Sequence, residues 1–494
     1  MRRAAAFAAA LGALAAALWA LAGTGLVNYD TLYSLVWGRE LVEGRSPDLD
    51  LPLAPTPHPL GTLLGVLLAP LSVANDAGVH GQAATGVTLV LAFLALAALG
   101  WVTYALGSAW FGPWAGVVAA AIILTRRPVL DFGARAYVDI PYLVLVLGAL
   151  LVESRRPRAG VPVLVLLAVA GLIRPEAWLF AAAYWLYLAV MLERDSRDRS
   201  PHERARTRRA LARLALLAAA GPLLWALSDL IVAGDPLHSL TGTRDTAREL
   251  GRVTGLDDVP GTVPRRIGEI LREPVLVGAV GGLVFAWLAL RERAKLAVTA
   301  GALGLAAFCL LAAAGLPILG RYLLLPATIG AILCGAGVFG WMTLAREHRL
   351  RRPWAWFGLA TIVLLLVFTP AQVDRIDALR GALARQAQIQ DDLRVLVREP
   401  PGLVSPECVP VGVPNHRPIP LLALWLDLPP QRFASLQRGT IAGGSYVRPA
   451  TPAVAHDYIL DRRDLRKLVP LPPAGFRLAG GNRSWLVFQR CRAR

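Results

Sequence analysis

The chain of 494 residues has few charged residues: they make up 17% of the sequence, whereas about a quarter is usual for soluble proteins. Hydrophobic residues make up 55%, and the mean hydropathy is +0.52. So few polar side chains cannot cover a soluble surface, which excludes a soluble enzyme, a coiled coil and a disordered chain. Apolar runs recur through the first 370 residues, many near the length of about 20 that crosses a bilayer. The sequence therefore predicts a polytopic membrane protein.

Lysine is almost absent, since only Lys295 and Lys467 occur and arginine supplies the rest of the net charge of +17. A basic balance is compatible with nucleic-acid binding, but membrane proteins also concentrate arginine in cytoplasmic loops to set their topology. We therefore expect no nucleic-acid partner. The excess of arginine and alanine is typical of a GC-rich bacterial genome, so the expected location is a bacterial cell membrane.

Cysteine is scarce, with four residues, and no CxxC or histidine-rich spacing predicts a metal site. Cys309 and Cys334 lie inside apolar runs, where cysteine is a small hydrophobic residue. Cys408 and Cys491 lie in the polar C-terminal region. If that region is extracytoplasmic, a disulfide between them would join the last strand to its domain.

Eleven apolar segments are expected to form membrane helices. The first runs from Met1 to about Gly25 and lacks a clear cleavage site, which favours a retained helix over a signal peptide. The other ten lie near 82–106, 113–125, 138–152, 161–174, 176–192, 211–233, 275–290, 295–314, 322–343 and 354–370.

Arginine distribution sets the orientation. Treating 161–192 as one crossing would place the arginines of 204–209 outside, against the positive-inside rule. Eleven crossings with a cytoplasmic N-terminus place the four arginine-dense links inside: Glu153–Gly160, Glu193–Arg213, Arg291–Lys295 and Arg346–Arg352. The extracytoplasmic side then receives a loop at about 26–80, a turn at Arg126–Asp139, a loop near 234–274 and the region from about 371.

The first loop contains two apolar stretches that are not predicted to cross. Thr31–Glu43 has the pattern of a helix lying in the membrane interface. Pro59–Leu71 is too short to span and is expected to lie along or dip into the membrane.

The region from 371 changes to the composition of a soluble domain. A charged helix is expected at Asp374–Arg398, followed by short strands including Thr440–Val447, His456–Leu460 and Ser484–Gln489. The predicted fold is an all-α membrane domain over 1–370 with a small extracytoplasmic α/β domain over 371–494.

Two carboxylates lie at predicted outer helix starts. Asp30 follows the first helix, and Asp139 begins a later one. Either could cap a helix N-terminus. Alternatively, Asp30 is a general base at the membrane surface, and Asp139 binds substrate or orients the base.

Arginines at the outer boundary are the second group of candidates, because the positive-inside tendency disfavours them there. Arginine binds phosphate through paired donors, although it also reaches lipid head groups. Arg321, followed by Tyr322, ranks first. The full set is Arg126, Arg127, Arg135, Arg174 and Arg321, with the neighbouring Tyr137 and Tyr322.

Two further polar residues lie near this boundary. His58 lies among prolines in the first loop and is either a contact for phosphate or a sugar hydroxyl, or an ordinary surface residue. Asp229 lies about a turn inside the membrane boundary and therefore needs a partner.

Several of these motifs resemble the GT-C superfamily of integral-membrane glycosyltransferases, and most closely the protein O-mannosyltransferases and the lipid A aminoarabinose transferase. The first-loop motifs are Tyr29-Asp30, Gly38–Gly44 and Thr56–Leu60. Arg135–Tyr142 is similar to the second acidic site of those enzymes, and Gly320–Leu323 and Gly234–Leu237 to features of bacterial relatives. The resemblance covers about 1–370. The family often has paired acidic residues after the first helix, whereas here Asp30 is followed by Thr31.

The resemblance implies an inverting transfer of a sugar from a polyprenyl phosphate to an acceptor hydroxyl on the outer membrane face. Asp30 would take the acceptor proton, and arginines would hold the departing phosphate. The expected partners are a polyprenyl-phosphate sugar donor, the bilayer, and an acceptor that is a glycan, lipid or protein. A divalent cation stays open, because two carboxylates are too few ligands to predict one.

Three alternative functions are also compatible with parts of the sequence. A lipid-linked polysaccharide ligase or polymerase would also use outer-face arginines. A transporter of polyprenyl-linked glycans would show polar residues at the midplane and repeated halves, and no internal repeat is found. A non-catalytic relative would bind wall polymer through its soluble domain.

Overall fold

The computed structural model describes residues 2–51, 53–76, 78–196, 200–398, 402–459 and 471–491. Its first part is helical. The helices are α1 (Arg2–Ala22), α2 (Tyr29–Val42), α3 (Pro59–Leu68), α4 (Gln82–Phe111), α5 (Pro113–Thr125), α6 (Arg127–Ala134), α7 (Asp139–Arg155), α8 (Val161–Gly171), α9 (Glu176–Ser196), α10 (Pro201–Ala233), α11 (His238–Glu249), α12 (Val259–Leu271), α13 (Glu273–Ala289), α14 (Arg291–Ala313), α15 (Leu324–Phe339), α16 (Arg351–Val367) and α17 (Thr369–Val397). Short 3-10 segments include Ala69–Leu71, Gly320–Leu323 and Gly340–Thr343.

Each of the eleven predicted apolar segments forms a helix. Within the residues that the structure describes, six helices are long and apolar enough to cross a membrane, and nine are if each bent helix pair counts as one span. With 13 and 11 residues, α5 and α8 are shorter. The polytopic helical domain is confirmed, and the number of eleven crossings stays a prediction.

Helix α15 lies at the centre of the bundle, packed between α5 and α13. Glycines allow the close approach: a Cβ at Gly282 would collide with the carbonyl of Leu333, and one at Gly335 with the carbonyl of Ala115. Small residues let membrane helices pack backbone to backbone, where van der Waals contact replaces the hydrophobic effect.

The first loop folds as two packed helices, α2 and α3. Asn28 caps α2, because its Oδ1 accepts hydrogen bonds from the backbone N–H groups of Asp30 (2.8 Å) and Thr31 (3.1 Å). The interpretation of Asp30 as the cap is therefore wrong, since α2 begins at Tyr29 and Asp30 lies in its first turn. The predicted interface helix is present, but most of it is buried under α3 and the C-terminal domain.

The C-terminal domain is a small α/β unit, as predicted. Its sheet has the order β2-β1-β3-β5-β4, with β1 parallel to β2 and β3, and β5 antiparallel to β3 and β4. A disulfide joins Cys408 to Cys491, which confirms the proposed pair. The elements are β1 (Val411–Val413), α18 (Ile419–Trp425), β2 (Phe433–Ser435), β3 (Gly444–Pro449), α19 (Pro452–Val454), β4 (Arg477–Gly481) and β5 (Trp485–Arg490).

Two of the three expected strands are confirmed in position. Thr440–Val447 overlaps β3, and Ser484–Gln489 coincides with β5 to within a residue at each end. The strand expected at His456–Leu460 is wrong, because Ala455–Ile459 forms a π-helical turn and Leu460 lies outside the described residues. Thr451 explains the difference: its side chain accepts from Val454 N and its carbonyl from Ala455 N, which starts a helix there.

The C-terminal domain shares a hydrophobic core with α2 and α17. Val36 of α2, Leu393 of α17, and Leu422, Val447 and Trp485 of the domain belong to one buried cluster. The domain is therefore fixed to the membrane part by apolar packing.

Arg39 adds a polar clamp between α2 and α18. Its buried guanidinium pairs with Asp427 at 2.8 Å and donates to the carbonyls of Ala423 (3.4 Å), Leu424 (3.3 Å) and Leu428 (3.3 Å). The carbonyls of Ala423 and Leu424 lie in the last turn of α18, which carries partial negative charge, and that of Leu428 lies just beyond the helix.

Replacing Arg39→Leu should lower stability by about 2–3 kcal/mol, because three carbonyls lose a charged donor. The measurement is the midpoint of thermal unfolding in detergent. Asp427→Asn is the matched control: it keeps the carbonyl bonds and removes only a partly exposed ion pair, so its loss should be below about 1 kcal/mol. Equal losses in the two variants would contradict this account.

Candidate active site

A cavity of about 1180 Å³ lies where the helix bundle meets the C-terminal domain. It exceeds the roughly 300–1,000 Å³ of ordinary small-molecule sites. Its walls come from the start of α2, the α6–α7 turn, the α8–α9 break, α10, α11, α14, α17 and the C-terminal domain. The predicted residues that line it are Asp30, His58, Arg135, Tyr137, Arg174, Asp229, Arg321 and Tyr322.

Arg321 lies between the two predicted carboxylates. Its Nη2 is 3.7 Å from Oδ2 of Asp30, and its Nε is 3.8 Å from Oδ2 of Asp139. Both distances are too long for hydrogen bonds. The guanidinium carbon lies 5.1 Å from the centre of the Tyr137 ring and 5.7 Å from that of Tyr322. Among the described residues the buried Nε–H has no hydrogen-bond partner, so Arg321 is compensated by the two nearby carboxylates without a hydrogen bond from this atom.

Arg174 has a different environment, because two carboxylates use its donors. It lies in the break between α8 and α9, where its Nε donates to both oxygens of Glu176 at 3.0 and 3.2 Å and its Nη2 to Oε1 at 2.5 Å. Its Nη1 donates to Asp139. Asp139 and Glu176 thus compensate the buried charge of Arg174.

Glu176 is a site residue that the sequence prediction missed, although its position in Arg174-Pro175-Glu176 indicates an ion pair. A carboxylate two residues after an arginine at a helix break can reach back to the guanidinium. Arg174 also stacks on Tyr322, with 4.0 Å between its guanidinium carbon and the ring centre.

The two predicted carboxylates differ in access. The Asp30 side chain is 24% exposed and lines the large cavity, whereas that of Asp139 is 2% exposed and lies behind the two arginines. Asp139 makes no side-chain cap at the start of α7. The geometry therefore leaves Asp30 within reach of a substrate and makes Asp139 a support for Arg174 and Arg321.

Asn28 fixes the relative position of the two carboxylate-bearing segments. Besides capping α2, it donates from Nδ2 to the carbonyls of Arg135 and Ala136, each at 2.9 Å. Ala136 has a φ of 51°, in the left-handed region that alanine seldom adopts. Thr31 adds a bond from its hydroxyl to the same Ala136 carbonyl at 2.8 Å. The start of α2 and the turn before α7 are thus one hydrogen-bonded unit.

His58 lies on the cavity wall, so the interpretation as an ordinary surface residue is wrong. Its ring lies edge-on to Trp225, with 5.9 Å between the centres. Burial lowers the pKa of His58 to about 4; Asp30 opposes this shift, and Arg174 and Arg321 add to it. The imidazole is neutral near pH 7, and its Nδ1 has no hydrogen-bond partner among the described residues.

Of the five arginines predicted at the outer boundary, three line the cavity: Arg135, Arg174 and Arg321. Arg126 is buried and donates to the carbonyl of Leu271 at 3.1 Å, and Arg127 is exposed; neither lines the cavity. The chain turns between α5 and α6 at this point, which carries both side chains away. Arg135 does line the cavity, bonded to Asp131 (2.6 Å) and Gln386 (2.5 Å).

Asp229 has the partner that its depth requires. Its two oxygens accept from the backbone N–H of Ser239 (2.9 Å) and from the Ser239 hydroxyl (2.8 Å). This pair fixes the start of α11 to α10.

The described residues contain no group of three or more histidine, cysteine or acidic side chains placed to hold a metal. Mg²⁺ and Ca²⁺ require several oxygen ligands, whereas Arg321 lies between Asp30 and Asp139.

Solved structures provide the comparison. Crystal structures of ArnT from Cupriavidus metallidurans, one bound to undecaprenyl phosphate and one in the apo state, align with TM-scores of 0.56 and 0.54. Each is 15% identical in sequence, and each alignment covers 98% of both chains. The chain has the ArnT fold. No protein-family model matches the sequence, and no curated protein sequence matches it.

The ArnT fold agrees with the predicted architecture, a helical membrane domain with a small C-terminal domain. It extends the likeness beyond the 370 residues of the sequence resemblance, since the alignment covers nearly the whole chain. Besides Glu176, sequence reasoning missed a part of the site that comes from the C-terminal region: Gln386, Gln390, His416, Arg417 and Tyr458.

Replacing Asn28→Asp should destabilise the fold by about 1–3 kcal/mol, because an oxygen would face the carbonyls of Arg135 and Ala136 in place of a donor. Asn28→Ser is the matched comparison, since serine keeps a capping oxygen and is too short to oppose those carbonyls. The thermal unfolding midpoint should fall further for Asp than for Ser. The reverse order would show that the carbonyl bonds do not hold the turn.

Acid should destabilise the protein in part through His58. The folded pKa of about 4 lies below the unfolded value near 6.5. Between these values the unfolded chain binds a proton that the folded chain does not, so stability falls as pH drops through this window. His58→Gln should lose less stability than the wild type from pH 6.5 to pH 4. His202→Gln, at an exposed histidine, is the control and should follow the wild type.

Proposed function

We propose that this protein is a membrane glycosyltransferase that moves a sugar from a polyprenyl-phosphate donor to an acceptor hydroxyl with inversion at the anomeric carbon. The observation that carries the proposal is the pair of Asp30 and Arg321 on the wall of one cavity, 3.7 Å apart. This transfer requires a base for the acceptor proton and an anion-binding group for the phosphate within one cavity. The ArnT fold supports it, since one of the aligned ArnT structures contains undecaprenyl phosphate.

The cavity has an apolar side suited to a prenyl chain. Pro222, Leu223, Ala307, Leu310 and Leu311 of α10 and α14 line it. Leu223 and Leu310 are 60% and 54% exposed, so this wall presents open apolar surface. A lipid chain would lie along it.

Arg321 would bind the donor phosphate. As the bond between the anomeric carbon and the phosphate oxygen breaks, negative charge builds on the phosphate, and a charged donor stabilises that change. Arg174 supports this arrangement from behind, because it fixes Asp139 and the Tyr322 ring next to Arg321.

Asp30 would be the general base. The acceptor oxygen forms its bond to the anomeric carbon from the side away from the phosphate, and its proton passes to Asp30. Polyprenyl phosphate leaves with the electron pair of the broken bond. Asp139 has no access to the acceptor in this scheme and acts as a positioning residue.

The proposed topology places the site on the extracytoplasmic face of a bacterial membrane, with the N-terminus in the cytoplasm. Helices α7 and α9 support this orientation: the site residues Asp139 and Glu176 are their first residues, and the arginine-dense links begin at their last turns. Positive charge gathers on the cytoplasmic side of membrane proteins.

The test uses purified protein in lipid with a panel of undecaprenyl-phosphate sugars. Asp30→Asn should reduce turnover by about 10²–10⁴-fold because the general base is lost. It should still bind undecaprenyl phosphate, whereas Arg321→Gln should weaken that binding. Asp76→Asn, at an exposed first-loop carboxylate outside the cavity, is the control and should keep full turnover.

Turnover that survives in Asp30→Asn would remove Asp30 from the mechanism. Transfer from diphosphate-linked oligosaccharides, with none from any phosphate-linked sugar, would favour the ligase alternative.

A further inference from the structure

One polar wall of the cavity belongs to the C-terminal part of the chain. Five hydrogen-bonding side chains from α17 and the C-terminal domain line it: Gln386, Gln390, His416, Arg417 and Tyr458. The proposed steps at the donor use none of them.

The amide and phenol groups of this wall are held in place by the domain core. Gln390 donates from Nε2 to the Tyr458 hydroxyl at 3.1 Å, and the Tyr458 ring lies edge-on to Trp485, with 5.8 Å between centres. Trp485 is fully buried and donates from Nε1 to the carbonyl of Ile389 at 2.8 Å. The hydroxyl oxygen of Tyr458 therefore accepts one hydrogen bond, from Gln390, and the hydroxyl hydrogen is not used in it.

Gln386 is fixed in the same way at the other end of the wall. Its Nε2 donates to the carbonyl of Asp457 at 2.7 Å, and its Oε1 accepts from Arg135 at 2.5 Å. These bonds join the wall to the turn that carries Tyr137.

The wall begins next to Asp30. The ring of Tyr29, the preceding residue, lies edge-on to His416 with 5.2 Å between centres. Asp30 and this wall therefore line the same cavity, with Arg321 3.7 Å from the Asp30 carboxylate.

We propose that this wall binds the acceptor and that the acceptor hydroxyl belongs to a sugar. The inference rests on the proposed glycosyltransferase function. In an inverting displacement the acceptor and the phosphate lie on two sides of the transferred sugar. With the phosphate at Arg321, the second polar region next to Asp30 remains for the acceptor.

The residue types indicate the class of acceptor. Gln390 and Tyr458 offer uncharged donors and acceptors in fixed directions, which match sugar hydroxyls because each hydroxyl both donates and accepts. A site that bonds a substrate hydroxyl discriminates strongly against analogues that lack it. A serine or threonine side chain offers a single hydroxyl, whereas a sugar offers several on one rigid ring.

The experiment uses the full-length protein in lipid, a labelled undecaprenyl-phosphate sugar that the wild type turns over, and two acceptor probes. One probe is a set of octyl glycosides, and the other is a serine/threonine peptide. Label should pass to at least one octyl glycoside and not to the peptide. Label on the peptide alone would overturn the proposal.

Variants then test the wall itself. Gln390→Leu and Tyr458→Phe should each raise the acceptor KM about tenfold, the loss of roughly one hydrogen bond, with undecaprenyl phosphate affinity unchanged. Gln388→Leu, on the exposed face of α17, is the matched control and should leave the KM unchanged. An unchanged KM in both wall variants would overturn the proposal.

If the proposed glycosyltransferase function itself is wrong, the experiment gives a different result. In that case folded wild-type protein would neither bind undecaprenyl phosphate nor turn over any phosphate-linked sugar. Donor turnover with transfer to the peptide alone would instead keep the glycosyltransferase and remove the sugar acceptor.

Discussion

The arrangement of the site depends on the neutralisation of buried charge among Asp139, Arg174 and Glu176. Each side chain is at most 7% exposed. An unpaired ion at such depth costs several kcal/mol, so the three groups must meet. They come from the first residues of α7 and α9 and from the break before α9. Pairing them brings these helix ends together, and Arg321 and Tyr322 then pack against the same cluster.

A second set of bonds connects this cluster to the rest of the chain. Asn28 joins the start of α2 to the turn before α7, and Gln386 joins that turn to the C-terminal domain. The proposed base, the phosphate-binding arginine and the acceptor wall therefore lie on one connected frame. Catalysis by oriented charges requires such rigidity, because groups that reorganise during the reaction lose most of their effect.

The sequence predicts the helices better than the site, for a physical reason. Long apolar runs require helices in a membrane, since every backbone polar group must be bonded within its own segment. The depth of Asp30, Arg174 and Arg321 follows from their positions at helix ends. The direction of a side chain does not follow from its position, so Arg126 and Arg127, predicted with the other boundary arginines, lie away from the cavity. Gln390 and Tyr458 are 68 residues apart and meet only through the fold of the C-terminal domain.

Arg174 and Arg321 show how two similar arginines can serve different purposes. Arg174 is fixed by hydrogen bonds to two carboxylates, whereas Arg321 is held by charge alone at 3.7 and 3.8 Å. In the proposed reaction the donor is a phosphodiester with one negative charge, and Asp30 carries another. After transfer Asp30 is protonated and neutral, and the released phosphate monoester has gained that charge. The total charge facing Arg321 is the same before and after, so the guanidinium stays compensated while negative charge moves from the base to the leaving group.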